Sequence, residues 1–438
     1  MATINLRAFP YSEDVACPKC KDQIVLYDPE GSEFCVCRSC NSLIRFSGKS
    51  TPVFQKHILP LKQEPVIKLG SIGAFNDYTF KVIGYIEKKE KGTAYAWREY
   101  ILYNYEKGYA NFAEYDGHWT FVAGKEFYPD LEVLKNNNWD FIDYGENEYK
   151  LFNKYTAVTT ALIGEFDWDI LHEQAHVSEF VAAPNIIYNE QGKPGISGAD
   201  FYLGKYVQPA EIAEAFKVNL DQFPEKIGIG ANEPSVHAKR WFAVAKITPL
   251  LIILLAVVGL IVSFTHPEYQ VMSNDYYIVN DSTKLNEFKP FVTQSFNLKN
   301  TSSALEFFIR SDIDNNWVEA TVVLVNESNN QSWEVTESIE YYHGYEDGES
   351  WSEGSQVANV LLSAIPRGKY HLNIYPASGD LNSKNIHINI VADPIIWRNV
   401  WVSILLLCLY PFYVWLRMRM FEKKRWMNSD YSPYETHN

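Results

Sequence analysis

A chain of 438 residues exceeds the usual span of one domain, about 100–200 residues, so several domains are expected. Its residues are 47% hydrophobic, 15% aromatic and 21% charged, which excludes wholesale disorder. The formal net charge of −15, from 39 Lys and Arg against 54 Asp and Glu, excludes a nucleic-acid binder that works through a basic surface. No nucleic-acid partner is therefore expected. The 29 Tyr, 25 Phe and 12 Trp favour strands over helices and predict a mainly β protein.

Five of the six cysteines fall within residues 17–40. Cys17-Pro-Lys-Cys20 and Cys37-Arg-Ser-Cys40 are two CxxC pairs separated by sixteen residues. That is the spacing of a zinc ribbon. Two knuckles each present two thiolates, and four sulfurs close a tetrahedral shell with no open position for water. The expected Zn2+ is thus structural, and the ribbon spans residues 1–50. Cys35 is an alternative to Cys37 as a ligand, although CxxC geometry favours Cys37. The first twenty residues contain early acids and no long apolar run, so they do not read as a secretory signal. The ribbon is accordingly expected in the cytoplasm. Residues 51–65 hold three prolines and read as a linker.

Residues 66–235 read as a β-rich cytoplasmic domain. Runs such as YTFKVIGYIEKKE, WREYILYN, GYANFAEY and GHWTFVAG are aromatic and β-branched, and each is closed by Gly, Asn or Asp. They predict a meander or a small barrel. A second block from Tyr149 to about Val218 ends in a predicted helix, PAEIAEAFKV, with Pro209 in its first turn. How the two blocks pack is not readable from their pattern.

His172-Glu173-Gln-Ala-His176 is an H-E-x-x-H. On a helix it would place both His on one face for a catalytic zinc, with Glu173 as general base. The third ligand would come from Glu179, Glu190, Glu211 or Glu214. A membrane-bound zinc metalloprotease is therefore the rival functional reading. Against it, Phe166, Trp168 and Ile170 alternate as in a strand. There the two His would lie about 13 Å apart, too far for one metal. The alternation predicts surface polar residues on a hairpin.

Residues 247–264 (ITPLLIILLAVVGLIVSF) and 399–416 (NVWVSILLLCLYPFYVWL) are each eighteen residues without a charge. With their flanks they predict transmembrane helices over 241–264 and 397–416, long enough for a bilayer core of about 30 Å. Pro411 is tolerated in a lipid-embedded helix. Trp241, Trp397, Trp401, Trp415 and Trp426 suit the interfacial belts. His237, Lys239 and Arg240 precede the first span, and Arg417, Arg419, Lys423, Lys424 and Arg425 follow the second. The positive-inside rule puts both flanks in the cytoplasm, with a basic tail over 417–438 and both termini inside. Residues 265–395 are then outside. They carry seven basic and eighteen acidic side chains.

That outer segment shows eight or so strands between turn signals such as SDIDNN and NESNNQ, which predicts a β-sandwich. Asp312-Ile-Asp314-Asn-Asn316 has a D-x-D-x-N pattern. It lacks the later Gly and the twelfth-position acid of an EF-hand, which leaves a looser calcium site or a hairpin turn. Residues 341–353 predict a long aromatic and acidic loop. In it Tyr342, His343, Trp351 and Glu353 could hold a glycan or a partner protein, or pack as a lid over the sandwich edge.

The segments LGSIGAFNDYTFKVIGYI, WREYILYN, DGHWTFV, EFDWDI, EFVAAPNIIYNE and ADFYLGKYVQPAEIAEAF resemble a bacterial domain-of-unknown-function family, number 4178. The outer segments YYHGYEDGESWSEGS and PRGKYHLNIYP look like the tail of its larger members, which add a zinc ribbon and membrane spans. One departure is EFVAAPN, where a second proline is expected beside Pro184. The resemblance carries over no catalytic residue. It implies a non-enzymatic scaffold or sensor of the bacterial inner membrane. The implied partner is a cytoplasmic membrane-remodelling protein of the phage-shock type, acting in membrane stress. A receptor for glycans or envelope polymers, working through the outer domain, is a further alternative.

Overall fold

The structure is a computed structural model and describes residues 9, 11–46, 52–123, 140–171, 174–191, 199–281, 288–380, 382 and 384–434. The chain divides into two compact units, Met1–Ala243 with Phe412–Asn438, and Val244–Pro411.

The first unit opens with a hairpin of β1 (Glu13–Ala16) and β2 (Gln23–Leu26). Next come β3 (Phe34–Val36), β4 (Ser42–Arg45), β5 (Val53–His57), β6 (Ile72–Phe75) and β7 (Tyr78–Glu90). After these run β8 (Ala96–Asn104), β9 (Gly108–Tyr115), β10 (His118–Ala123) and β11 (Phe141–Tyr144). The series ends with β12 (Asn147–Phe166), β13 (Gln174–Ala182), β14 (Asn185–Gln191), β15 (Ala199–Val207) and the helix α1 (Pro209–Phe216). Tight turns with positive φ link the meander where short polar residues or glycine allow it. Asn76-Asp77 stands at 49° and 66°, and Asp116-Gly117 at 49° and 78°.

Strands β7 to β10 are an antiparallel meander, and β10 pairs with β15, β15 with β14, β14 with β13 and β13 with β12. β12 then pairs with β7, setting Leu162 opposite Ile86 and Gly164 opposite Gly84. The eight strands return on themselves as a closed antiparallel barrel. The two sequence blocks are thus halves of one closed sheet. Closure depends on β12, which is 20 residues long and changes partner along its length. Lys150–Val158 pairs with β13, Thr159–Gly164 with β7 and Gly164–Phe166 with β3.

The last pairing alters the expected domain plan. β3, β4 and β5 extend the barrel sheet, so the cysteine-rich segment and the barrel share one hydrogen-bonded sheet. Part of the expected linker is strand β5, paired to β4. The Glu165 carboxylate secures the junction. It accepts from the backbone N–H of Tyr27 at 2.8 Å, the N–H of Asp28 at 3.0 Å and the Ser32 hydroxyl at 3.1 Å.

The outward face of the meander is aromatic. Tyr85, Tyr100, Phe112 and Trp119 are buried against Ile212 and Phe216 of α1. Pro209 starts this helix, its buried residues recur with helical spacing, and Lys217 ends it at a left-handed φ of 56°.

Two longer helices, α2 (Val236–Thr265) and α3 (Trp397–Trp426), are 30 residues each. Both are long and apolar enough to cross a membrane, and they outrun the spans expected from sequence. α3 absorbs the first half of the expected basic tail, and the end of that helix is not free. Arg425 is 1% exposed. Its guanidinium donates to the carbonyls of Gly230 at 3.2 Å, Ala231 at 2.6 Å and Glu233 at 2.5 Å. Trp426 packs on Phe152, and the Ser429 hydroxyl donates to the Phe152 carbonyl at 2.6 Å.

The second unit contains β16 (Tyr269–Ile278), β17 (Phe291–Val292), β18 (Phe296–Ser311), β19 (Asn316–Asn326), β20 (Ser332–Glu346), β21 (Glu349–Ser355), β22 (Val357–Ser378) and β23 (Lys384–Ala392). All eight strands belong to one sheet, ordered β16-β23-β18-β22-β19-β20-β21 with β17 on β22. This differs from the two separate sheets of the expected sandwich. The reason is β22, 22 residues long, which pairs mostly with β18 before Tyr370 and with β19 beyond it. Alternate residues of both halves, Phe307 and Ile388 with Val322 and Ile374, share one core. A single sheet therefore curls over its own apolar face.

Gly164 tests the barrel closure. Its φ is +95°, and a Cβ there would collide with the Ile83 carbonyl oxygen and the Gly84 backbone. Gly164→Ala is expected to destabilise the first unit by at least about 2 kcal/mol. Thermal unfolding of the detergent-solubilised chain checks this, with Gly92→Ala as the control whose surroundings are open but whose φ is also positive.

Candidate metal centre

The two CxxC segments form matching turns. The N–H of Cys17 donates to Asp22 O at 2.8 Å and Lys21 N–H to Cys17 O at 3.0 Å. Likewise, Cys37 N–H donates to Ser42 O at 3.0 Å and Asn41 N–H to Cys37 O at 2.9 Å. Lys21 and Asn41 close the turns at φ 66° and 53°. Each turn aims two sulfurs at the other, and Ile24, Ile44 and Phe46 pack beside them.

Cys17 and Cys40 sulfurs lie 3.7 Å apart, as do those of Cys20 and Cys37. All four fall within 4.8 Å of one another. A tetrahedral ion with metal–sulfur bonds of about 2.3 Å spaces its ligands at about 3.8 Å, so the quartet fits such an ion. None of these cysteines is in a disulfide. Burial pushes the Cys37 thiol up to about 12, while the Ser42 hydroxyl beside Cys40 brings that thiol down to about 6. A metal binds cysteine as thiolate, so an ion at this site would be held by four negative sulfurs. Cys35 lies on β3 opposite Glu165, outside the quartet, and its buried thiol is raised well above the ordinary range. The quartet contains Cys37, as the CxxC geometry indicated.

Among the described residues, the other sequence candidates do not assemble in this way. His172 and Glu173 lie outside the described residues. His176 lies on strand β13, with its Nδ1 3.0 Å from the Thr156 hydroxyl. Glu179 is three positions further along the same strand and so projects from the opposite face of the sheet. Glu190 pairs across from Val177 and shares the face of Glu179. Glu211 and Glu214 are exposed on α1. Among the described residues, the four cysteines are the only group of three or more such ligands placed to share an ion.

In the second unit the expected aromatic loop is a hairpin of β20 and β21, turned at Asp347-Gly348 with φ 49° and 89°. Tyr342 pairs with Glu353, and His343 pairs with Ser352 on the alternate face. Trp351 lies across from Gly344 and is 44% exposed. Strand alternation thus puts Tyr342, Trp351 and Glu353 on one face of the hairpin and His343 on the other. Asp312 and Asp314 are in the turn between β18 and β19. Asp312 takes Arg310 at 3.2 Å and Asp314 takes His343 at 2.6 Å. The segment is not the expected hairpin turn, because β18 and β19 are separated in the sheet by β22, with which each of them pairs. The turn between β13 and β14 contains a cis peptide at Ala183–Pro184 without a second proline.

Residues 68–209 match the family described as domain of unknown function DUF4178. The match covers all eight barrel strands. No curated protein matches the chain. Among solved structures, that of infectious bursal disease virus, Gt strain, aligns at 10% identity over 87% of this chain and 69% of that one, with a TM-score of 0.18. The VP2 subviral particle of the same virus gives the same four figures. At that TM-score the likeness carries no argument about fold or function.

Metal content of the purified chain tests the centre. One ion per chain is expected, lost in Cys17→Ser and retained in both Cys35→Ser and His176→Ala. Retention in Cys17→Ser would remove the quartet as the binding site.

Proposed function

We propose that this chain, a member of the DUF4178 family through residues 68–209, is a non-enzymatic membrane scaffold or sensor. It crosses a bacterial inner membrane twice, through α2 and α3. The barrel and a zinc-loaded ribbon lie in the cytoplasm, and residues 265–395 lie outside. The ribbon docks a cytoplasmic membrane-remodelling partner.

The observation that carries this reading is the clamp at Arg425. α2 begins at Val236, three residues beyond Glu233, and α3 ends with Arg425 on the carbonyls of Gly230, Ala231 and Glu233. The start of one apolar helix and the end of the other are therefore tied to a single stretch of the first unit. The basic residues of both helices cluster at those tied ends, which supports the same-side arrangement. α2 buries none of its residues, and such a long apolar helix needs lipid or protein to cover it. Zinc is the ion favoured by four thiolates in a closed shell. A ribbon of this size gains much of its folding energy from the metal, which suits a docking module.

A phosphatase reporter inserted after Asn329 is expected to be active, and one fused after Asn438 inactive. Activity in the reverse pattern, or in both positions, would overturn the topology. Affinity capture of the full chain is expected to recover a membrane-remodelling protein. Capture should fall at least about tenfold in the Cys17→Ser, Cys20→Ser variant. Undiminished capture would end the docking role of the ribbon.

A further inference from the structure

The inward face of the barrel carries chemistry that neither the metal centre nor the membrane helices use. Near the Gly84–Gly164 seam the interior is apolar, filled by Ile86, Ile101 and Leu162. Further along the same face, strand register places Lys88 on β7, Glu99 on β8, Glu179 on β13 and Glu190 on β14. Groups from staves that are not neighbours meet across this space. The Trp97 ring of β8 stands 5.3 Å from the Tyr155 ring of β12, edge to face. Lys88 and Glu99 act electrostatically on Glu190 from the opposite side of the barrel. Lys88 and Glu99 keep 17% and 14% of their side-chain surface accessible, so water reaches the lumen.

The polar groups there are unevenly satisfied. Lys88 pairs with Glu99 at 2.9 Å, and Glu99 also accepts from the Trp97 indole at 3.0 Å. Glu179 accepts one hydrogen bond, from the Tyr155 hydroxyl at 2.8 Å. Glu190 accepts none among the described residues. Glu99, Glu179 and Glu190, with exposed Asp200 across from Glu190, thus share this face with one ammonium, and unmatched charge away from water is costly. Burial pushes Glu179 up to about 7 and raises Glu190, with Lys88 opposing the latter. Burial also works against the Lys88 charge, but Glu99 and Glu190 outweigh it and keep the ammonium protonated.

We propose that the lumen binds a small organic cation, an amine or quaternary ammonium ion, with its charge against Glu179 and Glu190 and its carbons against the Tyr155, Tyr188 and Trp97 rings. Tyr188 pairs across from Glu179 and stands two positions from Glu190 on β14, so all three share the inward face. Ring faces attract cations whose charge is spread over carbon. A bare metal ion fits less well. Among the described residues no three carboxylates converge closely enough to share one.

Calorimetric titration of the full chain in detergent tests this, with tetramethylammonium and n-propylammonium chloride as probes. Calcium chloride and neutral tert-butanol serve as comparisons at matched ionic strength. Saturable one-to-one binding of an ammonium probe is expected, weakened at least about tenfold by Glu190→Gln and unaffected by Glu211→Gln on the outer helix. Glu190→Gln removes an unsatisfied charge, so its thermal midpoint should equal or exceed that of the parent. If it fails to fold, Glu179→Gln takes its place with the same expectation. No saturable binding of either ammonium, equal binding of tert-butanol, or preference for calcium would each overturn the proposal.

Discussion

The structure of the first unit hangs on one pairing, that of β12 with β7. Until those backbones meet, the eight strands are an open sheet with two unsatisfied edges. Two glycines make the approach possible. Gly164 and Gly84 stand opposite each other, and any side chain at Gly164 would meet backbone. Because β12 continues past the seam, the same strand that closes the barrel also receives β3. The cysteine segment is therefore a lateral extension of the barrel sheet, secured by the buried Glu165 carboxylate.

This continuity has consequences for the metal centre. Two of its cysteines, Cys37 and Cys40, bracket the turn between β3 and β4, strands that belong to the barrel sheet. The other two follow β1, in a separate two-stranded hairpin. An ion held by all four joins a small hairpin to a large sheet. Ordering that hairpin without metal would rest on few apolar contacts, Ile24, Ile44 and Phe46 among them.

A second tie acts at the far end of the chain. The Arg425 guanidinium is spent on three backbone carbonyls and on Glu422, which leaves it no role as a free surface charge. A buried guanidinium is tolerable because its donors are matched by acceptors in fixed positions. The end of α3 is thereby a structural part of the first unit. A displacement of that helix would be felt by the stretch that leads into α2.

Much of this was readable from local pattern. The spacing of Cys17, Cys20, Cys37 and Cys40 specified the quartet, because CxxC turns are built within a few residues and need little help from elsewhere. The two apolar runs announced their helices, since a charge-free stretch of that length follows from composition alone. Alternation and turn residues such as Asp116-Gly117 located most strands. What tertiary structure decided was partnership. Nothing local in β12 says that its last residues leave β13 for β7 and β3, or that β22 serves β18 and β19 in turn. The same holds for charge: Glu179 and Glu190 read only as candidate third ligands of a zinc site until barrel closure turns their face inward, and Arg425 read as part of a basic flank until the carbonyls of residues 230–233 enclosed it. Spacing and hydropathy are properties of a few neighbouring residues, whereas strand pairing and burial are decided by residues far apart in the chain.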